Sequence, residues 1–210
     1  MKHPFPGLFI TFEGIDGSGK STLARALDQQ LTAAGKRIVL TKEPGGTELG
    51  KTLRTILQTQ QQPVCGVAEF LLFAADRAQH FNDIIIPALK RGDWIIGDRS
   101  ADSSLAYQGF GRGINREHIA RVNTWAMQNI EPDLTVYLRI DPATAAARYN
   151  ARGQQLTAFE QEKIEFWQRV TAGYESIFDG QERVLALDGN QPTSILVQEV
   201  VSALKLRGNL

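Results

Sequence analysis

Gly14, Gly19, Lys20 and Ser21 stand at the spacing G-x-x-x-x-G-K-S inside the stretch FEGIDGSGKST, residues 12–22. Glycines carry no Cβ, so successive backbone N–H groups can turn inward around an anion. A helix starting at Lys20 would aim its unpaired N–H groups and the positive end of its dipole at the same point. Lys20 brings a full charge for the outer phosphates of a triphosphate. Ser21 brings a hydroxyl for a divalent cation, and Thr22 one for an inner phosphate. A plain tight turn needs neither a lysine nor two hydroxyls behind it. Chance supplies about 0.01 matches to this pattern in a chain of this length. The segment Gly14, Ile15, Asp16, Gly17, Ser18, Gly19, Lys20, Ser21 and Thr22 is therefore a candidate phosphate cradle.

A second candidate is DWIIGDR, an apolar run that ends in Asp98 and Arg99. A carboxylate at the end of a buried strand suits a divalent cation beside a phosphate. Alone the pattern is common; its weight comes from sharing a chain with the glycine loop. Two more acidic residues, Asp141 before Pro142 and Asp188 before Gly189, suit a helix cap and a turn. Phe73 and Arg77 are four apart and share a helix face. Taken alone, Phe73 fits a core stripe with Phe70 and Leu71 as readily as a ring for stacking, and Arg54 fits a surface ion pair.

These residues need a frame to hold them. Apolar, largely β-branched and aromatic runs at 8–12, 37–42, 93–98, 134–140 and 183–188 read as buried parallel strands. Between them lie helical stretches from Lys20 to Ala34 (with Gly35 as a stop), Glu48 to Gln58, Val67 to Lys90, Arg116 to Gln128, Pro142 to Ala151, Gln161 to Phe178 and Pro192 to Leu206. Pro87 should bend or split the third of these. Alternating strands and helices predict an α/β fold with a doubly wound sheet of about five parallel strands and helices on both faces. Such a sheet binds ligands at the carboxyl ends of its strands, where Glu13, Lys42, Glu43, Asp98, Arg99, Asp141 and Asp188 gather.

No linker, repeat or low-complexity tract divides the 210 residues, so one domain is expected. Lys plus Arg equals Asp plus Glu, 23 each, which gives no overall basic field for a nucleic acid. A single cysteine, Cys65, and three scattered histidines offer no internal disulfide and no metal-type spacing. No apolar run approaches a membrane span or a signal peptide, and a cytoplasmic protein is expected. Guanine-specific switch proteins carry N-K-x-D, and no Asn-Lys pair occurs in this chain. A small domain with a second polar cluster suggests transfer to a small acceptor.

That cluster resembles thymidylate kinases of the bacterial type, within the P-loop nucleoside monophosphate kinases. The likeness runs in order through EGIDGSGKST, EPGGT (43–47), EFLLFAADR (69–77), GDRSADSSLAYQGFGRG (97–113) and PDLTVYLRID (132–141). The second and fourth stretches are the selective ones. The resemblance implies a transferase of nucleotide biosynthesis that moves the γ-phosphoryl of ATP to dTMP, with Mg²⁺ as cofactor. It implies that Phe73 stacks on the thymine and that Arg77, Ser104 and Gln108 bond its edge. Arg54 and Arg99 would grip the acceptor phosphate, Tyr107 would close the sugar pocket, and Glu43 and Pro44 would shape the site. Asp16 would face the acceptor sugar and phosphate, and Ser21 and Asp98 would serve the metal. Lys20, Asp16, Arg99 and Arg152 form the expected catalytic set.

A short lid is expected over about 148–159, with Arg148 and Arg152 reaching the phosphates. The family commonly has Asp-Arg just before the apolar-Glu pair found here as Phe159-Glu160, whereas this chain has Thr157-Ala158. Arg152 is expected to replace the missing arginine. The family forms homodimers, and the helices from Val67 and Arg116 carry more apolar residues than a lone surface helix needs. Trp94, Trp125 and Trp167 fit either core or interface. Two other readings stay open: a kinase for another pyrimidine nucleotide or nucleoside, and a non-catalytic nucleotide-binding regulator.

Overall fold

The computed structural model describes residues 3–59, 64–151, 159 and 162–210. Its strands are β1 (Leu8–Glu13), β2 (Ile38–Lys42), β3 (Trp94–Asp98), β4 (Leu134–Arg139) and β5 (Val184–Asp188). They form one parallel sheet in the order β2-β3-β1-β4-β5, with Phe12 beside Asp98 and Val136. The central strand β1 is buried along its whole length, while the edge strands β2 and β5 are partly exposed.

The alternation of side chains along β1 sorts the core into two layers. Leu8, Ile10 and Phe12 meet Leu23, Leu27 and Leu31 of α1 (Lys20–Ala33) and Val200 and Leu204 of α9 (Thr193–Leu206). Phe9 points the other way, toward Phe81, Ile85 and Ile95. A third cluster, rich in aromatic residues, joins Tyr107 and Tyr137 to Phe166, Trp167, Val170 and Tyr174 of α8 (Ile164–Phe178). Trp94 and Trp167 are core residues, whereas Trp125 is 81% exposed on α6 (Arg116–Ala126).

The remaining helices are α2 (Glu48–Thr59), α3 (Gly66–His80), α4 (Ile86–Lys90), α5 (Ala101–Ser104) and α7 (Pro142–Asn150). Between α3 and α4 the chain makes a π-helical turn, Phe81–Ile85. Proline cannot donate to the helix ladder and crowds the preceding turn. The split expected near Pro87 thus takes the form of a wider turn just before it.

One element escaped the sequence reading. After β3 the chain enters α5 and continues as a second π-helical stretch, Leu105–Gly111, which carries Tyr107 and Gln108. Its glycines hide the helical pattern, yet packing requires Gly111. A Cβ there would lie 2.6 Å from a ring carbon of Phe166 and 3.0 Å from a methyl of Val170. Gly111→Ala should therefore cost roughly 1–3 kcal/mol. A melting experiment should show a drop of about 3–10 °C for a chain this size. An unchanged midpoint would show that α8 yields freely.

Candidate active site

The carboxyl ends of β1, β2 and β3 open into a cleft of about 550 Å³. At one end lies the glycine loop. Gly14, Gly17 and Gly19 have φ of 134°, 85° and 98°, a region that side chains disfavour. A Cβ on Gly14 would lie 2.6 Å from the Leu138 carbonyl oxygen, and one on Gly17 2.6 Å from that of Ala145. The loop is thus pinned against β4 and α7 from behind. Gly17, Gly19, Lys20, Ser21, Thr22 and Asp16 face the cleft, whereas Gly14, Ile15 and Ser18 form the wall behind them.

The Lys20 Nζ donates to the Ile15 carbonyl at 2.8 Å, folding the side chain over its own loop. Burial, and next the nearby Arg99 guanidinium, push this ammonium down to about 8 against the pull of Asp16, Asp98 and Glu13. A bound polyphosphate would reverse that balance by placing anionic charge beside it. Ser21 Oγ donates to Asp98 Oδ2 at 2.5 Å. The hydroxyl and carboxylate expected to serve a metal are therefore in contact, although they are 77 residues apart in sequence. Among the described residues no group of three or more His, Cys, Asp or Glu side chains is arranged to hold a metal by itself.

The opposite end of the cleft is built around Arg77, which is 1% exposed. Its Nε donates to Glu43 Oε2 at 2.9 Å, Nη1 to Ser104 Oγ at 3.1 Å and Asn123 Oδ1 at 2.7 Å, and Nη2 to the Ser100 carbonyl at 3.1 Å. Glu43 is also in contact with His80 Nδ1 at 3.0 Å, and His80 Nε2 with Thr41 Oγ1 at 2.6 Å. Burial alone would raise Glu43, but Arg77 and then His80 outweigh it and hold the carboxyl below its usual range.

Phe73 is half-buried on the cleft wall, while Phe70 packs in a separate cluster with Ala74 and Ile119. The core-stripe alternative for Phe73 thus gives way to a cleft position. Ser104, Tyr107 and Gln108 line the same wall, with Gln108 Nε2 donating to Glu69 at 2.8 Å. Arg54 lines the cleft and donates to the Pro44 carbonyl at 3.0 Å, next to a cis Glu43–Pro44 bond.

Arg99 stands between the two ends. Its Nη2 donates to Asp16 Oδ1 at 2.7 Å and to Tyr107 OH at 2.8 Å, and its Nη1 to the Gly14 carbonyl at 3.0 Å. Asp141 and Asp188 are the cap and turn residues their sequence suggests: Asp141 accepts from Thr144 N, and Asp188 from Asn190 N.

One expected residue does not meet the others in the cleft. Arg148 turns away, donating to the Gly189 carbonyl at 2.9 Å and Asn190 Oδ1 at 3.1 Å. Arg152 and most of the expected lid lie outside the described residues. Phe159, at the lid's far end, packs its ring 6.0 Å from Phe73 and 5.9 Å from Tyr107.

Arg25, Ser100 and Ser103 line the cleft but went unmarked in sequence, and Lys42, expected at a strand end, lines it too. Asp76 and His80 were legible in principle, since they sit on the same turn of α3 as Arg77. Asp76 accepts from Gly45 N at 3.1 Å, which ties α3 to the segment after β2.

A phosphate loop, a carboxylate against its serine, and an arginine-floored pocket in one cleft are the features that the resemblance required. The family model for thymidylate kinase matches residues 12–200. The chain belongs to the thymidylate kinase family. It is 41% identical to the thymidylate kinase of Leifsonia xyli subsp. xyli over 202 residues, covering 96% of this chain and 94% of that protein. It is 42% identical to that of Lactobacillus delbrueckii subsp. bulgaricus over 204 residues, covering 95% of each. The thymidylate kinase of Alkalilimnicola ehrlichii is 40% identical over 200 residues, with 94% and 92% covered. As a member of this family the chain is an enzyme, a nucleoside monophosphate kinase, and its five-stranded parallel sheet is the family's P-loop architecture.

Proposed function

We propose that this chain transfers the γ-phosphoryl group of ATP to dTMP, giving ADP and dTDP for dTTP synthesis. The observation that carries the reading is Arg99, held in one cleft between a phosphate loop and the buried Arg77 with its polar partners. The loop amides, Lys20 and Thr22 hold the ATP phosphates. Phe73 stacks on the thymine while Arg77, Ser104 and Gln108 face its polar edge. Tyr107 closes the sugar side, and Arg54 and Arg99 neutralise the acceptor phosphate. Asp16, ion-paired to Arg99, sets where that guanidinium lies. An acceptor phosphate is already ionised, so the reaction asks for alignment and charge neutralisation rather than a general base.

Ser21 and Asp98 would hold Mg²⁺, since two oxygen donors in contact suit a hard cation that takes its other ligands from phosphates and water. Bound there, the ion would offset negative charge on the nucleotide. The segment 148–159 serves as a lid that excludes water, and Arg152 supplies the cation missing from Thr157-Ala158. The enzyme works in the cytoplasm; among the described residues no helix is long and apolar enough to cross a membrane. It works as a homodimer joined through the α3 and α6 side, where Val67, Leu71 and Trp125 are exposed.

A coupled assay of ADP release with ATP and a panel of acceptors tests the reading. The expected result is turnover with dTMP at least about tenfold above dUMP, because one methyl contact in a pocket is worth roughly 1–3 kcal/mol, and above UMP, CMP and thymidine, which differ from dTMP by other groups. A preference for UMP, CMP or thymidine would favour a different pyrimidine kinase. ATP binding without ADP release would favour a regulator.

A further inference from the structure

Glu13 is the last residue of β1 and is 0% exposed, directly beneath Arg99. Its Oε1 accepts from the Ser100 backbone N–H at 2.8 Å. Its Oε2 accepts from Ser103 Oγ at 2.6 Å and from Tyr174 OH at 2.9 Å. The same two hydroxyl oxygens receive Arg99 Nη1, at 3.0 Å and 3.3 Å. The two hydroxyls also lie 2.9 Å from each other, so Ser103 and Tyr174 link the carboxylate to the guanidinium as one hydrogen-bonded network.

Backbone geometry adds a second hold. Arg99 has φ of 76°, in the left-handed region that side chains disfavour, and such a residue persists only where its surroundings over-determine it. The Arg99 N–H donates to the Phe12 carbonyl at 2.9 Å and the next N–H, of Ser100, to Glu13. One carboxylate thus grips both the backbone beyond Arg99 and, through two hydroxyls, its side chain.

The geometry points to Glu13 as the positioning residue that sets Arg99 against the acceptor phosphate, acting through Ser103 and Tyr174. This assignment rests on the reading of Arg99 as an acceptor-phosphate ligand.

Energetics support it. Burial, and next the facing Asp102 carboxylate of α5, push Glu13 up to about 7, against Arg99 and the hydrogen bonds from Ser103 and Ser100. Lys20, Arg183, Tyr107 and Tyr174 also face this charge. A carboxyl raised from 4.5 contributes to stability below pH 4.5, and that contribution is lost as pH rises through about 7. Above pH 7 the ionised group therefore weakens the fold, which is the pattern of a residue retained for activity. Burial keeps the Tyr107 and Tyr174 phenols protonated there, so the hydroxyl of Tyr174 remains a donor.

Glu13→Gln keeps the shape, but its amide NH2 must face either the Ser100 N–H or both the Ser103 and Tyr174 hydroxyls, which breaks the acceptor pattern that orders the network under Arg99. At pH 8 this variant should lose about 10- to 100-fold in kcat/KM for dTMP. Its KM for ATP should be unchanged and its melting temperature equal to or above wild type. Adding Glu13→Gln to Arg99→Ala should cost nothing further, because a residue acting through a missing group has no remaining effect. Glu13→Asp should recover part of the loss.

Losses that multiply in the double variant, or a Glu13→Gln enzyme with wild-type kcat/KM, overturn the assignment. Should Glu13→Gln fail to fold, Tyr174→Phe and Ser103→Ala decide, each expected to lower kcat/KM for dTMP at constant KM for ATP; wild-type values in both overturn it. If Arg99→Ala is impaired and the Glu13 variants are not, only the role of Glu13 falls. If Arg99→Ala is itself unimpaired, the reading of Arg99 falls with it.

Discussion

Lys20→Met should lower kcat by about 10³-fold, the scale lost when one preorganised charge or donor is removed from a developing anion. Wild-type Lys20 is folded over the Ile15 carbonyl and buried beside Arg99. A desolvated ammonium gives a polyphosphate more than an exposed one could, because the surrounding dielectric is low. Burial also makes the lysine costly to keep, which brings it down to about 8. Methionine fills the same volume without the charge, so the melting temperature of the free enzyme should hold or rise. The measurement is steady-state turnover beside a thermal melt. A variant that melts normally and keeps more than about a tenth of wild-type kcat would remove Lys20 from the chemistry.

The second large effect belongs to Arg77, where stability and activity should fall together. Arg77→Met strands the Glu43 carboxylate, whose remaining side-chain partner among the described residues is His80, and takes a donor from Ser104, Asn123 and the Ser100 carbonyl. Breaking a buried ion pair from one side costs about 3–5 kcal/mol. In a chain of this size that corresponds to a drop of roughly 10 °C in melting temperature.

The pH dependence should change sign. In wild type the depressed Glu43 contributes stability above its ordinary 4.5, lost as pH falls through its folded value. In the variant burial acts with only His80 against it, so the deficit is largest at neutral pH and shrinks on acidification. Adding Glu43→Gln to Arg77→Met should return part of the stability and none of the dTMP turnover. Full recovery of both would mean that Arg77 serves the fold alone. A normal melt with lost turnover would mean that Glu43 finds another partner.

Much of this is legible in the amino-acid sequence. The five strands fall within a residue or two of their expected bounds, because each is a short apolar run closed by polar residues, and only a covered parallel sheet accommodates such runs. The phosphate loop was legible for a related reason: its chemistry is made by backbone N–H groups, so the glycine spacing is itself the site. Lys20 and Ser21 follow at fixed offsets on the first turn of α1. Phe73 could not be assigned from the residues alone, since a helix face with Phe70 and Leu71 has two sides that periodicity does not tell apart.

The sequence by itself determined the elements and the phosphate loop, since both are local and depend on neighbours within a turn or a strand. Only the tertiary structure decided what the charged residues do. Ser21 meets Asp98 across 77 residues, Arg77 meets Asn123 across 46, and Tyr174 meets Glu13 across 161. The π-helical stretch Leu105–Gly111 likewise depends on α8 pressing against Gly111. Those partnerships follow from the strand order β2-β3-β1-β4-β5, which gathers the ends of β1, β2 and β3 at one cleft. A charge buried there is set by groups that folding brings within a few ångströms, and no spacing along the chain records them.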